Sequence, residues 1–378
     1  MKPATDAVRS PAVKIVDLSK HYGPVVALDK VSLSIEAGEY FVLLGPSGGG
    51  KTTLLRTIGG FHRPTSGQVF LHGKEVTGLP PDKRPTSMVF QSYALFPHMN
   101  VEKNVGYGLS LAGRSKNDIR DKTHAMLDMV GLSGYAERKP HELSGGQQQR
   151  VQLARSLVLD RDILLLDEPL AALDAQLRKD MCLELKHLQE KVGITFVHVT
   201  HNQEEAMTVA DRIALVADGH LIEHGNAQQI YESPIHRFTA SFVGENNLFD
   251  GTVAAVDGES VIVDTANGQL HVLKRNLNPQ VGQSVTVSLR SELIRLTNVA
   301  NATSATDGAG QFHAGCMLPA IWRESVYLGL TTSHRLNLPD GQEAVCRMIS
   351  DGTHFVAPAP GETVCLHWQA EDARLHVR

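Results

Sequence analysis

The sequence predicts an α/β domain built on a largely parallel sheet, followed by a small all-β domain. Three observations carry this. Over the first ~235 residues, short apolar runs alternate with helical patterns, as in βα units. A glycine-rich loop sits between one such run and a helix. From about Leu248 the texture changes to short β-prone stretches broken by turn dipeptides.

Tyr40-Phe41-Val42-Leu43-Leu44, Met88-Val89-Phe90, Ile163-Leu164-Leu165-Leu166 and the run from Ile194 to Val199 are mainly apolar buried-strand candidates, suited to a sheet covered on both faces. Between them Leu177, Met181, Leu185, Leu188 and Val192 recur at helical spacing, which predicts a core-facing stripe. In the second region Val261-Ile262-Val263 and Leu270-His271-Val272-Leu273 flank Asn267-Gly268, a hairpin signal. Asp257-Gly258, Asp340-Gly341 and Asp351-Gly352 mark further turns, and the whole suggests a small barrel. Asn298 to Gly310 is polar and rich in small residues, so it reads as a flexible loop. The expected division is a flexible N-terminus over 1–12, an α/β domain over 13–243 with a helical subdomain at about 92–155, and the β domain over 244–378.

Bulk properties narrow the function. The chain has 378 residues, 42% hydrophobic and 20% charged, enough apolar material for more than one core. Its formal net charge of -5 argues against nonspecific nucleic-acid binding, which favours basic surfaces. Cys182, Cys316, Cys346 and Cys365 form no CxxC pair and read as reduced thiols. Met1 to Ala12 lacks the apolar run of a signal peptide, and no apolar run approaches the ~20 residues that span a bilayer. Any membrane role would need docking onto other subunits.

Gly45-Pro46-Ser47-Gly48-Gly49-Gly50-Lys51-Thr52 fits the phosphate-binding loop GxxxxGK[ST], after a strand and before a helix that continues with Thr53. Glycines let backbone amides approach phosphate oxygens, and the helix N-terminus adds positive potential. Lys51 would reach the β- and γ-phosphates of ATP, and the Thr52 hydroxyl would ligate Mg²⁺. The strand 163–166 delivers Asp167 and Glu168 at its C-terminal end, where parallel sheets bind ligands. Asp167 suits Mg²⁺, directly or through water, and Glu168 suits a general base for attacking water.

Leu143-Ser144-Gly145-Gly146-Gln147, upstream of that strand, opens a helix whose amides offer a second phosphate-binding surface, with Ser144 also suited to cap it. With the phosphate loop it resembles the signature of ABC-type ATPases, a resemblance that covers almost the whole chain. The resemblance implies ATP and Mg²⁺ as ligands and a head-to-tail homodimer. In it Ser144, Gly145, Gly146 and Gln147 of one copy contact the γ-phosphate held by the other. It also implies roles for further residues. Gln91 would contact Mg²⁺ and sense nucleotide. His201 would contact the γ-phosphate. Asp174 would lie at the dimer interface, cap the next helix, or both. Tyr22 would stack on adenine. Gly49 stands where importers often carry Cys, and Ala171 where Ser is frequent; neither change removes a ligating group.

Ser92-Tyr93-Ala94-Leu95-Phe96-Pro97-His98 is apolar for an exposed loop. By the resemblance Tyr93, Leu95 and Phe96 line a groove for membrane subunits; packing inside the domain is the alternative. The β domain resembles the TOBE domain of importer ATPases, whose partners are two integral-membrane permeases and an extracytoplasmic solute-binding protein. Such a subunit sits peripherally on the cytoplasmic face of the inner membrane. The loop 89–98, the stretch His201 to Met207 and Phe242 to Asn247 are most similar to the spermidine/putrescine importer branch, but importers of iron, thiosulfate, phosphonates and sugars share them. Two other readings compete: a soluble ABC ATPase outside transport, and a regulatory module that binds nucleotide without turnover. One phosphate loop, no cysteine cluster and no heptad array oppose the first. Intact Lys51, Asp167, Glu168 and His201 oppose the second.

Overall fold

The computed structural model describes residues 10–91, 94–298, 316–350 and 357–377. The expected N-terminal segment as far as residue 9, Ser92 and Tyr93, the polar loop beyond Asn298, and the Asp351-Gly352 turn lie outside the described residues. Ala12 is fully buried, and its carbonyl accepts a hydrogen bond from His72 N at 3.0 Å.

The chain divides into two compact units, one ending at Ala227 and one covering Gln228–Arg378. In the first, the elements run β1 (Val13–Tyr22), β2 (Val25–Ile35), β3 (Tyr40–Leu44), α1 (Lys51–Ile58), β4 (Ser66–Leu71), β5 (Lys74–Glu75) and β6 (Thr86–Val89). They continue with α2 (Val101–Leu111), α3 (Lys116–Met129), α4 (Gly145–Leu157), β7 (Ile163–Asp167), α5 (Ala175–Val192), β8 (Thr195–Thr200), α6 (Gln203–Val209), β9 (Arg212–Ala217) and β10 (His220–Gly225).

Strands β6, β7, β8, β3 and β9 lie side by side in parallel, with β10 antiparallel at the edge beyond β9. Every residue of β3, β7 and β8 is buried, which is why their sequences are largely apolar on both faces rather than alternating. The register brings Leu44 opposite Thr200, Asp167 opposite Val199 and Val89 opposite Leu166. Four motif-bearing strands therefore end at one edge of the sheet, where parallel strands present their carboxyl ends. An antiparallel sheet in the order β2-β1-β4-β5 contributes Ile15, Leu18, Leu28 and Val69 to the same core as Phe41, Leu54 and Val197.

Helices α2, α3 and α4 form a lobe around Val101, Val105, Leu127, Val151 and Ala154. Ser144 begins α4 with a capping box: its hydroxyl accepts from Gln147 N, and its own N–H donates to Gln147 Oε1 at 3.0 Å. In α5 the stripe is narrower than the spacing predicted. Met181, Cys182, Leu185 and Gln189 are buried, while Leu177, Leu188 and Val192 are only partly covered. Gln189 earns its buried place by donating to the carbonyls of Gly38 at 2.7 Å and Ile194 at 3.1 Å.

The second unit holds α7 (Ala227–Glu232), whose first residue lies just before the division, and α8 (Arg237–Phe242). Ten strands follow: β11 (Asn246–Asp257), β12 (Ser260–Thr265), β13 (Gly268–Leu273), β14 (Ser284–Arg290), β15 (Arg295–Asn298), β16 (Met317–Tyr327), β17 (Thr331–Asn337), β18 (Glu343–Ile349), β19 (Thr363–His367) and β20 (Arg374–Val377). They make two five-stranded antiparallel sheets, β13-β12-β11-β14-β20 and β15-β19-β16-β17-β18, around one core that includes Phe249, Val263, Trp322, Leu336 and Trp368. The compact division falls before the Val243/Gly244 boundary that composition suggested, because α8 packs on β11 and β14. Arg237 bonds Thr286 Oγ1 at 3.2 Å and pairs with Asp250 at 3.5 Å. The β12–β13 hairpin pairs Thr265 with Gly268, so Ala266 and Asn267 form its two-residue loop, one position earlier than the Asn-Gly dipeptide implied. Asn267 is buried and bridges to the turn at Asp340 through two hydrogen bonds.

Candidate functional site

Between β3 and α1 the chain turns through three glycines at positive φ: Gly45 at 151°, Gly48 at 80° and Gly50 at 103°. At Gly45 the requirement is also steric, since a Cβ there would stand 2.0 Å from the Val216 carbonyl oxygen. The loop thus rests directly on the backbone of β9. Lys51, the first residue of α1, is buried and donates from Nζ to the carbonyls of Gly45 and Pro46, both at 2.8 Å. Burial pulls the ammonium below its ordinary range, while the carboxylates of Glu168 and Asp167 hold it up. An ammonium kept inside the loop that it closes is placed for an anionic ligand lying in that loop. Ser47 and Gly48 are exposed at the loop crest, and Thr53 follows on α1.

Thr52 Oγ1 donates to Asp167 Oδ1 at 2.9 Å, across 115 residues of sequence. Asp167 is 2% exposed at the end of β7, and its second oxygen receives Arg56 Nη2 at 3.2 Å. A hydroxyl and a carboxylate converging here, with the Gln91 side chain nearby on Glu168, form a sparse, hard, all-oxygen donor set. That set fits Mg²⁺, which keeps water and phosphate oxygens among its ligands and takes few from protein.

Glu168 follows Asp167 with φ of 46°, a left-handed conformation that turns its side chain away from the line of the strand. Its N–H donates to Val199 O at 3.0 Å, which ties the turn to β8. Its carboxylate receives Gln91 Nε2 at 3.3 Å and faces His201 Nδ1 at 3.3 Å. Gln91 comes from the end of β6 and His201 from the end of β8, so three separate motifs meet on one carboxylate. His201 is half-exposed, open to a ligand on its far side.

The remaining predicted residues sit apart from this cluster. Ser144 is exposed at the tip of α4, Gly145 and Gln147 are partly covered, and Gly146 is buried. Gln147 Nε2 also reaches Tyr135 OH at 3.3 Å. Asp174 caps α5 by accepting from Leu177 N at 3.0 Å and is itself exposed. Tyr22 is 44% exposed, with His62 edge-on at 5.9 Å and Lys20 Nζ 4.8 Å above its ring. The exposed part of the ring is accessible to a planar group.

In the stretch from Ala94 to His98, Leu95 and Phe96 turn inward. Tyr93 lies outside the described residues. Leu95 packs against the helical lobe, and Phe96 sits between Tyr107 at 4.7 Å and Arg155 at 4.4 Å. Asn104, fully buried, binds both Phe96 N and O, at 2.8 and 3.1 Å, and also the carbonyls of Met99 and Asn100. Leu95 and Phe96 thus make contacts inside the domain while each stays partly exposed. The open side of this region is a groove of about 340 Å³ that includes Met88, Phe90, Ala94, Gln152 and Arg155.

Sequence reasoning missed Arg56 and the pair Arg178–Glu205. Arg56 had a usable signal: it stands four residues after Thr52, hence on the same face of α1. Arg178 and Glu205 had none, since their meeting depends on how α5 and α6 pack.

Two family models match the chain: ABC transporter over residues 28–171 and TOBE domain over residues 287–375. The spermidine/putrescine import ATP-binding protein PotA of Rubrobacter xylanophilus is 45% identical over 369 residues, 97% of this chain and 94% of that protein. Its namesake from Roseobacter denitrificans is 51% identical over 285 residues, 75% of this chain and 78% of the relative. Among solved structures, the dimeric post-hydrolysis state of the ATP-binding cassette MJ0796 bound to ADP and Pi matches with a TM-score of 0.51 at 34% identity. It covers 57% of this chain and 98% of that one. CbiO1 of Clostridium perfringens, part of the ABC transporter complex CbiONQ, matches with a TM-score of 0.55 at 27% identity, over 58% of this chain and 90% of that one. With its phosphate loop, paired carboxylates and capped signature helix on this fold, the chain belongs to the ATP-binding proteins of ABC transporters that carry a C-terminal TOBE domain.

Proposed function

We propose that this chain hydrolyses MgATP as a homodimer and thereby drives solute import through two permease subunits, with an extracytoplasmic binding protein delivering the solute. Polyamines such as spermidine and putrescine, or a related small organic cation, are the proposed cargo. The observation that carries the enzymatic reading is the meeting of Gln91, His201 and Glu168 beside Lys51, Thr52 and Asp167. The names of the relatives support the cargo, and the dimeric cassette supports the dimer. No described helix is long and apolar enough to cross a membrane. By likeness to import ATP-binding proteins, the proposed place is on the permeases, at the cytoplasmic face of the inner membrane. Residues 13–243 form the ATPase domain in this reading, with its helical subdomain at about 92–155, and 244–378 the TOBE-like domain.

In the proposed mechanism Tyr22 stacks on adenine, and the amides from Gly45 to Thr53 cradle the phosphates with Lys51. Thr52 and Asp167, with Gln91, would hold Mg²⁺, which would neutralise phosphate charge when bound. Glu168 orients a water and takes its proton as the oxygen bonds the γ-phosphorus and the bond to the β–γ bridging oxygen breaks. His201 holds the γ-phosphate from the other side. Ser144, Gly145, Gly146 and Gln147 of the second copy close over the same phosphate, and Asp174 lies at that interface. Binding energy realised only in the closed state shifts the pair toward it, and loss of the γ-phosphate releases it.

Glu168→Gln tests the chemistry: turnover should fall by about 10²- to 10⁴-fold with ATP still bound, and wild-type turnover would remove Glu168 from its role. Cargo is tested by uptake of labelled spermidine and putrescine in cells with and without the chain. Equal uptake in both would transfer the cargo to another class, such as iron, phosphonate, thiosulfate or sugar, and leave the ATPase reading intact.

A further inference from the structure

The imidazole of His201 is exposed, but the turn that carries it is not free to move. Thr200 Oγ1 donates to Glu205 Oε2 at 2.6 Å and accepts from Asn202 N at 3.0 Å, so His201 is bracketed on both sides. Asn202 caps α6 by accepting from Glu205 N at 3.1 Å. The Glu205 carboxylate is 5% exposed and lies 3.4 Å from Arg178 Nε. Arg178 reaches in the other direction as well: its Nη2 donates at 2.7 Å to the carbonyl of Leu173, the residue before Asp174. One guanidinium thus spans from the segment leaving Glu168 to the turn holding His201.

Two features make this more than helix docking. Burial pushes the Glu205 carboxyl up and outweighs the Thr200 hydroxyl and Arg178, which pull it down, so these two partners offset only part of the cost of burying it. The pair also borders a cavity of about 260 Å³ lined by Ala175, Cys182, Asn202 and Thr208. The guanidinium thus has open space on one side, and its polar neighbours on the other are the Leu173 carbonyl and the Glu205 carboxylate. A second ion pair, Lys179–Glu204 at 2.9 Å, joins the same two helices at the surface and serves as an internal control.

We propose that Arg178 and Glu205 are positioning residues that clamp the His201 turn to the Leu173–Asp174 segment, so that a displacement at Asp174 reaches His201 through this pair and the Thr200 hydroxyl. This rests on the reading of Glu168 and His201 as the hydrolytic pair.

The test uses the full chain and compares Arg178→Ala, Arg178→Lys, Glu205→Gln and Lys179→Ala by kcat, KM for ATP and melting temperature. Arg178→Ala and Glu205→Gln should lower kcat about ten- to hundredfold, the scale of a misplaced catalytic group, with KM within twofold of wild type. Arg178→Lys should not restore the rate, because an ammonium lacks the fork that reaches both partners. Lys179→Ala should match wild type, as expected of an exposed pair. The proposal is overturned if Arg178→Ala keeps kcat within twofold, if Arg178→Lys recovers it, or if Lys179→Ala loses as much. Should Arg178→Ala not fold, Glu205→Gln, which keeps the side-chain volume, decides alone. A failure of the hydrolytic reading is separate: Glu168→Gln and His201→Ala would then both turn over at the wild-type rate.

Discussion

Asp167→Asn isolates the role of one buried charge. The wild-type carboxylate, 2% exposed, accepts from Thr52 at 2.9 Å and from Arg56 at 3.2 Å. Asn keeps the shape and can still accept from Thr52 through Oδ1, but its NH₂ cannot accept from Arg56. Losing a charge-assisted hydrogen bond costs about 1.5–3 kcal/mol when fully buried. Arg56 is 39% exposed and regains water, so the cost here is about 1–2 kcal/mol. For a unit of this size that lowers the melting temperature by roughly 2–8 °C. The functional effect should be larger, because the anionic oxygen proposed to serve Mg²⁺ is gone: the Mg²⁺ concentration for half-maximal ATPase activity should rise about tenfold or more. Titrating Mg²⁺ at saturating ATP, beside a thermal melt, separates the two. A lowered melting temperature with an unchanged Mg²⁺ requirement would refute the assignment of Asp167 to the metal.

Two further outcomes follow from the same geometry. Asn104→Ala leaves Phe96 N–H and O without their partner and should destabilise by about 2 kcal/mol, seen as a lower denaturation midpoint; an unchanged midpoint would show that the loop does not depend on this side chain. Burial depresses the His198 imidazole to about 3, so between pH 6.5 and that value the fold binds fewer protons than the unfolded chain. Its contribution is complete above pH 6.5 and is lost as pH falls, by at most about 1.4 kcal/mol per unit. The raised Glu205 carboxyl works in the opposite sense near the acid end. His198→Asn should flatten the fall in denaturant-derived stability between about pH 6.5 and pH 5, and an identical slope in both proteins would contradict the burial account.

Residues that act through short, contiguous motifs were legible because the chemistry dictates their spacing. A phosphate cradle needs glycines next to a helix start, and a catalytic carboxylate must sit where a buried strand ends. The gathering of Gln91, Glu168 and His201 was legible only in outline: the motifs were visible, but their meeting depends on the strand order β6-β7-β8-β3. What stayed hidden is tertiary. Arg178 and Glu205 are ordinary helix charges until α5 and α6 pack. Asn104 looks like any polar helix residue until a loop folds over it. The apolar stripe of α5 was drawn from side-chain type alone, whereas the buried face includes Cys182 and Gln189, the latter because two carbonyls await its amide. The contacts of α8 were hidden for a related reason, since its partners on β11 and β14 come from strands that follow it in the chain.

The clamp over the shared nucleotide can be read from molar mass. Glu168→Gln, which should hold ATP uncleaved, is predicted to run at about the monomer mass in ADP and twice that in MgATP by light scattering. Adding Gly146→Asp should abolish the doubling; a Cβ at Gly146 would meet only Leu177, at 3.4 Å, an ordinary contact, and a thermal melt of the double variant checks that the buried position accepts the carboxylate. A Glu168→Gln protein that stays monomeric in saturating MgATP, or a Gly146→Asp double variant that still doubles, would contradict the proposed pairing of one copy's glycine loop with the other's Ser144 helix tip.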